Sequence, residues 1–314
     1  MASLGIDYGT ASWKLALIEG PRVLVLKQFE DWTRFEPLLK EMATDHPGLP
    51  MVLPSGFGIP VTRIQEVDDR DLFEMTLRRG DPTEKGLGQF LQKMRTSDFH
   101  AYCIPSVKLL PSVPAHRKVN RIDMGTADKL CVVAYLLYRQ LALDRPLETQ
   151  TFLSLEVGEA FKALIAVQGG RLVDGLGGTA GYMGPKARGA VDGELAYLYA
   201  FDKTKVYSGG GLDTRFGQYG EEGFWEGLEK EIVLFLNFYG LPRIHVTGRR
   251  QEAVIHRLGT RYPMELPLKD EAGYEAALGA AILADGIAGG EFHRLVMHIG
   301  LKDVRERVLD WVEI

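Results

Sequence analysis

The chain has 314 residues, 46% of them hydrophobic and 25% charged, with a formal net charge of −5. That is the composition of an ordinary soluble globular protein, and it is long enough for its core to divide in two. No basic run tracks a nucleic acid backbone; Cys103 and Cys131 are too few for a disulfide framework or a four-cysteine zinc site and read as small buried hydrophobes; no secretory leader and no apolar run of about 18 residues is seen. A cytoplasmic protein without nucleic acid or membrane partners is therefore expected.

The chain enters a strand at once: Leu4-Gly5-Ile6-Asp7-Tyr8-Gly9, then a Thr10-Ala11-Ser12 turn, a second strand over 13–18, a Gly20-Pro21 turn and a third strand over 22–26. Phe35, Leu38, Leu39 and Met42 predict a helix over 35–44, and Met51-Val52-Leu53 a short buried strand stopped by Pro54. Residues 55–119 hold Ser55-Gly56-Phe57-Gly58, several prolines and many charges, which suits a substrate-side insertion better than core. A long apolar helix is predicted over 126–143, its Tyr135, Leu136, Tyr138 and Leu141 facing the core. Pro146 marks the crossing to a second half, so domains of 1–148 and 149–314 are expected.

The second half opens as the first did. Leu153-Ser154-Leu155-Glu156-Val157-Gly158 is followed by an apolar strand over 161–167, a Gly169-Gly170 turn and Arg171-Leu172-Val173. Each copy places a carboxylate two residues before a glycine at a hairpin mouth, with a lysine a few residues on. Two such hairpins folded against one another would make a cleft whose lips present N–H groups and an acid, the requirement of a metal-bound polyphosphate. A glycine-rich stretch over 175–193 follows, then Tyr207-Ser208-Gly209-Gly210-Gly211, a helix over 221–239, a strand over 243–246, a Thr247-Gly248-Arg249 turn, a helix through Leu258 and another over 274–287. Strands alternating with helices in both halves predict two α/β layers.

Asp7-Tyr8-Gly9-Thr10 with Lys14 resembles the first phosphate motif of the superfamily that contains acetate kinase, sugar kinases, the heat-shock 70 ATPase and actin. Glu156-Val157-Gly158 stands where the second phosphate motif belongs, Val246-Thr247-Gly248 resembles the adenosine motif, and Ala277-Leu278-Gly279-Ala280-Ala281 is similar to the small-residue helix that crosses between domains. The resemblance covers nearly the whole chain, and within the superfamily it looks most like a mainly archaeal group described as predicted butyrate kinases. It implies an α/β chain of two similar actin-like, ribonuclease H-like domains with a nucleotide cleft between them. Two positions depart from the pattern: Glu156 replaces the usual aspartate, and Arg249 follows Gly248 where paired small residues are usual.

The resemblance also implies roles. Asp7 and Glu156 would hold Mg²⁺ through water, and the N–H groups of Gly9 and Thr10 with the Thr10 hydroxyl would meet the β- and γ-phosphates of ATP. Gly158, Gly177, Gly178, Gly209, Gly210, Gly211, Gly248 and Arg249 would complete the nucleotide site. Lys14, Arg121 and Asp123 are the expected catalytic residues, the last two within the charged run 117–129 that opens the long helix. There, arginines suit an acyl acceptor and an aspartate suits a hydroxyl; Asp123 or Thr126 capping the helix is the structural reading. His100, His116 and His245 lack ligand spacing. A kinase acting on a small molecule, best guessed as a short-chain carboxylate, is expected; a sugar or polyol kinase and an ATPase module regulating a protein partner stay open, as does a homodimer.

Overall fold

In the computed structural model, residues 1–9, 12–79, 86–267 and 269–313 are described. They form two compact units: Met1–Ile122, Thr126–Leu147 and Tyr274–Ile314 make the first, Asp123–Gly125 and Glu148–Gly273 the second.

The first unit holds a sheet of β1 (Ala2–Tyr8), β2 (Trp13–Glu19), β3 (Arg22–Phe29), β4 (Met51–Val52), β5 (Gly58–Arg63) and β6 (Ala101–Pro105), in the order β3-β2-β1-β4-β6-β5. β1 to β3 form an antiparallel meander, β4 and β6 run parallel to β1, and β5 returns antiparallel along the edge. In the second unit β7 (Phe152–Val157), β8 (Lys162–Gln168), β9 (Arg171–Leu176), β10 (Ile244–Thr247) and β11 (Met264–Glu265) follow the order β11-β10-β7-β8-β9. From the third meander strand inward, order and strand sense are the same in both sheets. The bulges repeat too: one register shift falls between Leu17 and Ile18, the other between Ala166 and Val167. The repeat visible in the sequence is thus architectural, and local twist increases at corresponding places.

Burial explains the strand choice. β1 and β7 are buried along nearly their whole length, as expected where helices cover both faces of a strand, whereas β3 at the edge is only partly buried. In the second unit, Phe224, Leu228, Ile232 and Phe235 of helix Gln218–Tyr239 close the core over β7, β8 and β10.

Two stretches differ from the sequence reading. β6 lies within 55–119 yet is the inner parallel partner of β4, with Cys103 fully buried in it, so this stretch contributes core as well as insertion. The chain also returns to the first unit at Tyr274 instead of staying with the second half. The cause is close packing: helix Glu275–Ile287 lies on β1 and on helix Ala127–Leu141. A side chain at Gly5 would overlap the Ala277 carbonyl oxygen, and one at Gly279 the Cys131 carbonyl. Small residues therefore let backbone approach backbone.

Candidate functional site

In the first unit, hairpin register places Asp7 directly opposite Lys14, so their side chains share one face of the sheet. Asp7 is nearly buried, at 8% exposure, and the Lys14 ammonium stands 5.9 Å from the Tyr274 ring centroid. Gly9 N–H donates to the Ser12 carbonyl at 3.0 Å. The hairpin thereby uses the Gly9 donor expected to meet a phosphate; Thr10 lies outside the described residues.

Close by is a feature that the sequence displayed without singling it out. At the start of helix Ala127–Leu141, Asp128 accepts from the Thr126 hydroxyl and pairs with the Lys129 ammonium at 2.7 Å. Burial raises the Asp128 carboxyl, but Lys129 and Thr126 outweigh it and hold the group below its ordinary value. Cys131, fully buried, has its thiol pushed well up by burial and then by the charges of Asp128 and Asp7, which places both carboxylates near one another's field. Arg121 is exposed and makes no ion pair among the described residues.

The second unit repeats the hairpin with a difference. Gly158 N–H donates to the Phe161 carbonyl at 2.9 Å, closing the turn as Gly9 does and withdrawing the same donor. Glu156, however, faces Ala163, while Lys162 faces Val157. A one-residue change of position moves the side chain to the opposite face, and Lys162 is buried in an ion pair with Glu231. It is no counterpart of Lys14.

Glu156 pairs in register with Thr247 of β10, and Gly248 follows with φ +89°. A Cβ there would stand 2.6 Å from the Val157 carbonyl oxygen and 3.0 Å from the Glu156 side chain, so this glycine is required by both conformation and space. Around this mouth, Glu159 pairs with Lys186 at 2.6 Å and with Arg249 at 3.6 Å. Its carboxyl is held down, first by the Lys186 hydrogen bond and also by Arg249 and Arg250. Two cations pair with one anion, and Arg250 is near enough to act on it. Thr247 Oγ1, Arg250 Nε and Gln251 Oε1 are buried without a hydrogen-bond partner among the described residues.

The remaining glycines frame the site. Gly210 and Gly211 N–H donate to the carbonyls of Lys186 and Gly184, at 2.7 and 3.0 Å, so they fix the loop that carries Lys186; Gly209 packs against Arg188. Gly177 lies on the Asp123 carboxylate and Gly178 on the Phe161 ring. Asp123 itself is buried and accepts from Gly125 N–H, Thr179 N–H and the Thr179 hydroxyl at 2.9–3.2 Å. It pegs the 177–179 loop, whereas Arg121 is exposed. Tyr207, edge-on to Phe161, has its phenol pushed up to about 12 by burial and by the Asp123 charge. Glu159, Lys186 and Arg250 went unnoticed in the sequence because each is an ordinary charged residue until the fold gathers them. The Arg249-Arg250 pair just after the strand glycine was the available signal.

Whether these residues suit a metal-bound nucleotide can be judged from the donors. No group of three or more His, Cys, Asp or Glu side chains converges on a metal position among the described residues. Mg²⁺ keeps its waters and takes one or two carboxylates plus phosphate oxygens, and Glu156 is a carboxylate of that kind at the second hairpin mouth. The cations and the two unpartnered donors, the Thr247 hydroxyl and Arg250 Nε–H, fit the phosphates. No helix among the described residues is long and apolar enough to cross a membrane.

Among solved structures, the chain is similar to the acetate kinase of Entamoeba histolytica, with a TM-score of 0.58 at 11% identity, covering 83% of this chain and 87% of that one. It is likewise similar to the acetate kinase of Porphyromonas gingivalis, with a TM-score of 0.52 at 13% identity over 80% and 84% of the two chains. At such identities the likeness is one of fold, and it gives this chain the actin-like α/β fold of those kinases. No curated protein matches the chain. Residues 5–314 match the family described as "Protein of unknown function (DUF1464)", and the chain belongs to that family.

Proposed function

We propose that the protein is an ATP-dependent phosphotransferase that phosphorylates a small carboxylic acid. The observation that carries this reading is the pairing of Lys186 and Arg249 with Glu159, beside Glu156 and the unpartnered donors of Thr247 and Arg250. Phosphoryl transfer asks a protein mainly to hold a polyanion and to meet its spread charge with cations and Mg²⁺. Glu156 and Asp7 would hold the metal, which neutralises phosphate charge when bound. The cations and the Gly248 turn would hold the nucleotide.

What the aspartates are doing supports a carboxylate as the acceptor. A hydroxyl acceptor calls for a general base with a pKa near the working pH. Asp128 is held below the ordinary carboxylate range by Lys129 and Thr126, and the Asp123 oxygens already accept three hydrogen bonds, from Gly125 N–H and from the N–H and hydroxyl of Thr179. A carboxylate acceptor needs no base, only cations to offset its charge, and Lys14, Lys129 and Arg121 supply them.

The test is a screen of purified protein with Mg-ATP against short fatty acids, sugars and polyols, read by ADP release, repeated with Asp128→Asn. Turnover on a short acid is expected, with Asp128→Asn within about tenfold of the parent, because orientation and not proton transfer is lost. Turnover on a hydroxyl compound that collapses in Asp128→Asn would make Asp128 a base and the acceptor an alcohol. ADP release that no acceptor stimulates would favour an ATPase module.

A further inference from the structure

Away from the residues assigned above, the first unit carries a second concave site. Helices Glu36–Asp45 and Leu87–Arg95 part over a cavity of about 400 Å³, within the range of small-molecule pockets. Trp32 and Phe99 line its floor half-buried, with Phe35, Phe90, Leu39 and Met94 buried behind them. The rings are already packed edge-on, with Trp32 and Phe90 centroids 5.8 Å apart and Phe35 and Phe90 6.0 Å apart. Trp13 backs the floor at 4.9 Å from Phe90.

The rim has a definite charge arrangement. Lys40 and Lys93 both reach the same oxygen of Glu36, at 3.2 and 3.6 Å, so two ammonium groups share one carboxylate. Their side chains are 68% and 53% exposed, and ion pairs so exposed are weak. Both lysines can therefore turn to a new anion at small cost. Asp98, on the far lip, also borders a neighbouring hollow with Arg63 and does not enter the lysine pair.

The geometry points to a binding site for a small amphipathic monocarboxylate, its aryl or branched apolar body on the aromatic floor and its carboxylate between Lys40 and Lys93. Flat rings suit that floor, since aromatic pairs contribute beyond simple area burial. The site is separate from the residues assigned to phosphoryl transfer, and its test does not depend on that assignment.

Calorimetric titration of the full-length protein with 3-phenylpropionate tests it, alongside the matching alcohol, phenethylamine and phenylalanine. Saturable binding of 3-phenylpropionate is expected, weakening by about tenfold or more in Lys40→Ala/Lys93→Ala, the effect of losing a charge-assisted contact. The alcohol and the amine should bind at least that much more weakly than the acid. A second variant, Ala43→Leu, partly fills the cavity from a lining position and should also weaken binding, while Mg-ATP affinity stays unchanged in both variants. Phenylalanine binding as tightly as the acid would bring Asp98 into the site as the partner of its ammonium and overturn the monocarboxylate assignment. Absence of saturable binding at millimolar concentration, equal binding of the amine, or binding indifferent to the lysine substitutions would overturn the site.

Discussion

A single step of register separates two lysines that look equivalent in the sequence. Lys14 lies across from Asp7, so the two share a sheet face. Lys162 lies across from Val157, turned away from Glu156 and into the core. The carboxylates were legible as a repeat because each precedes a glycine by two residues; the lysines misled because side-chain direction alternates along a strand. Asp7 is nearly buried at the hairpin mouth without belonging to the apolar core. Asp7→Ala should therefore weaken Mg-ATP binding by about tenfold or more, the scale of a lost charged contact in a partly buried site, while the melting temperature hardly moves. Calorimetry with Mg-ATP on the variant and the parent decides this, and equal affinities would remove Asp7 from the metal site.

Among the elements, the glycine-rich stretch 175–193 shows where sequence reading runs out. Its composition announces a loop, yet what holds that loop is distant in sequence: Asp123 at residues 177–179 and Glu231 at Tyr182. Glu231 accepts from Tyr182 N–H at 2.6 Å and pairs with Lys162. Burial pushes the Glu231 carboxyl up and the Lys162 ammonium down, so each charge persists because of the other. Nothing in local spacing joins residues 162 and 231, whereas the meander strands announced themselves by alternation and turn glycines. Glu231→Gln leaves the Lys162 charge buried and uncompensated and should cost about 3–5 kcal/mol. The double variant Lys162→Met/Glu231→Gln removes that charge and keeps an amide oxygen for Tyr182, so it should recover more than half of the loss. Denaturant melts of the two variants measure the difference. A double variant no more stable than the single one would mean that the ion pair is not the source of the cost.

For the molecule as a whole, residues 304–313 are built into the first unit by contacts that span much of its sequence. Lys118 pairs with Glu306 at 2.6 Å, Arg307 with Asp71 at 2.8 Å and Glu74 at 3.2 Å, and the buried Lys108 donates to the Val308 carbonyl. Asn120, at φ +52°, donates to the Trp311 carbonyl and accepts from Glu313 N–H, each at 2.8 Å; asparagine is among the few side chains that adopt this conformation readily. The strap thus fixes the backbone next to Arg121, which the sequence placed in a charged run without showing what anchors it. Lys108 gives the strap a pH signature. Its side chain is fully buried, and burial, reinforced by the Lys118 charge and opposed by Asp310 and Glu306, lowers its pKa from 10.5 to about 8. Below about pH 8 the lysine is protonated in both the folded and the unfolded chain, and the folded state carries the whole cost of burying the charge. Between about 8 and 10.5 the unfolded chain binds more protons than the folded one, so stability contributed at this site rises with pH, by on the order of 3 kcal/mol in all. Lys108→Met removes the titrating group and supplies the reference that cancels every other ionisation. In denaturant melts at a series of pH values, the stability of the parent relative to Lys108→Met should climb from pH 8 towards 10.5. A constant difference across that window would mean that Lys108 titrates in the folded protein as it does in the unfolded chain.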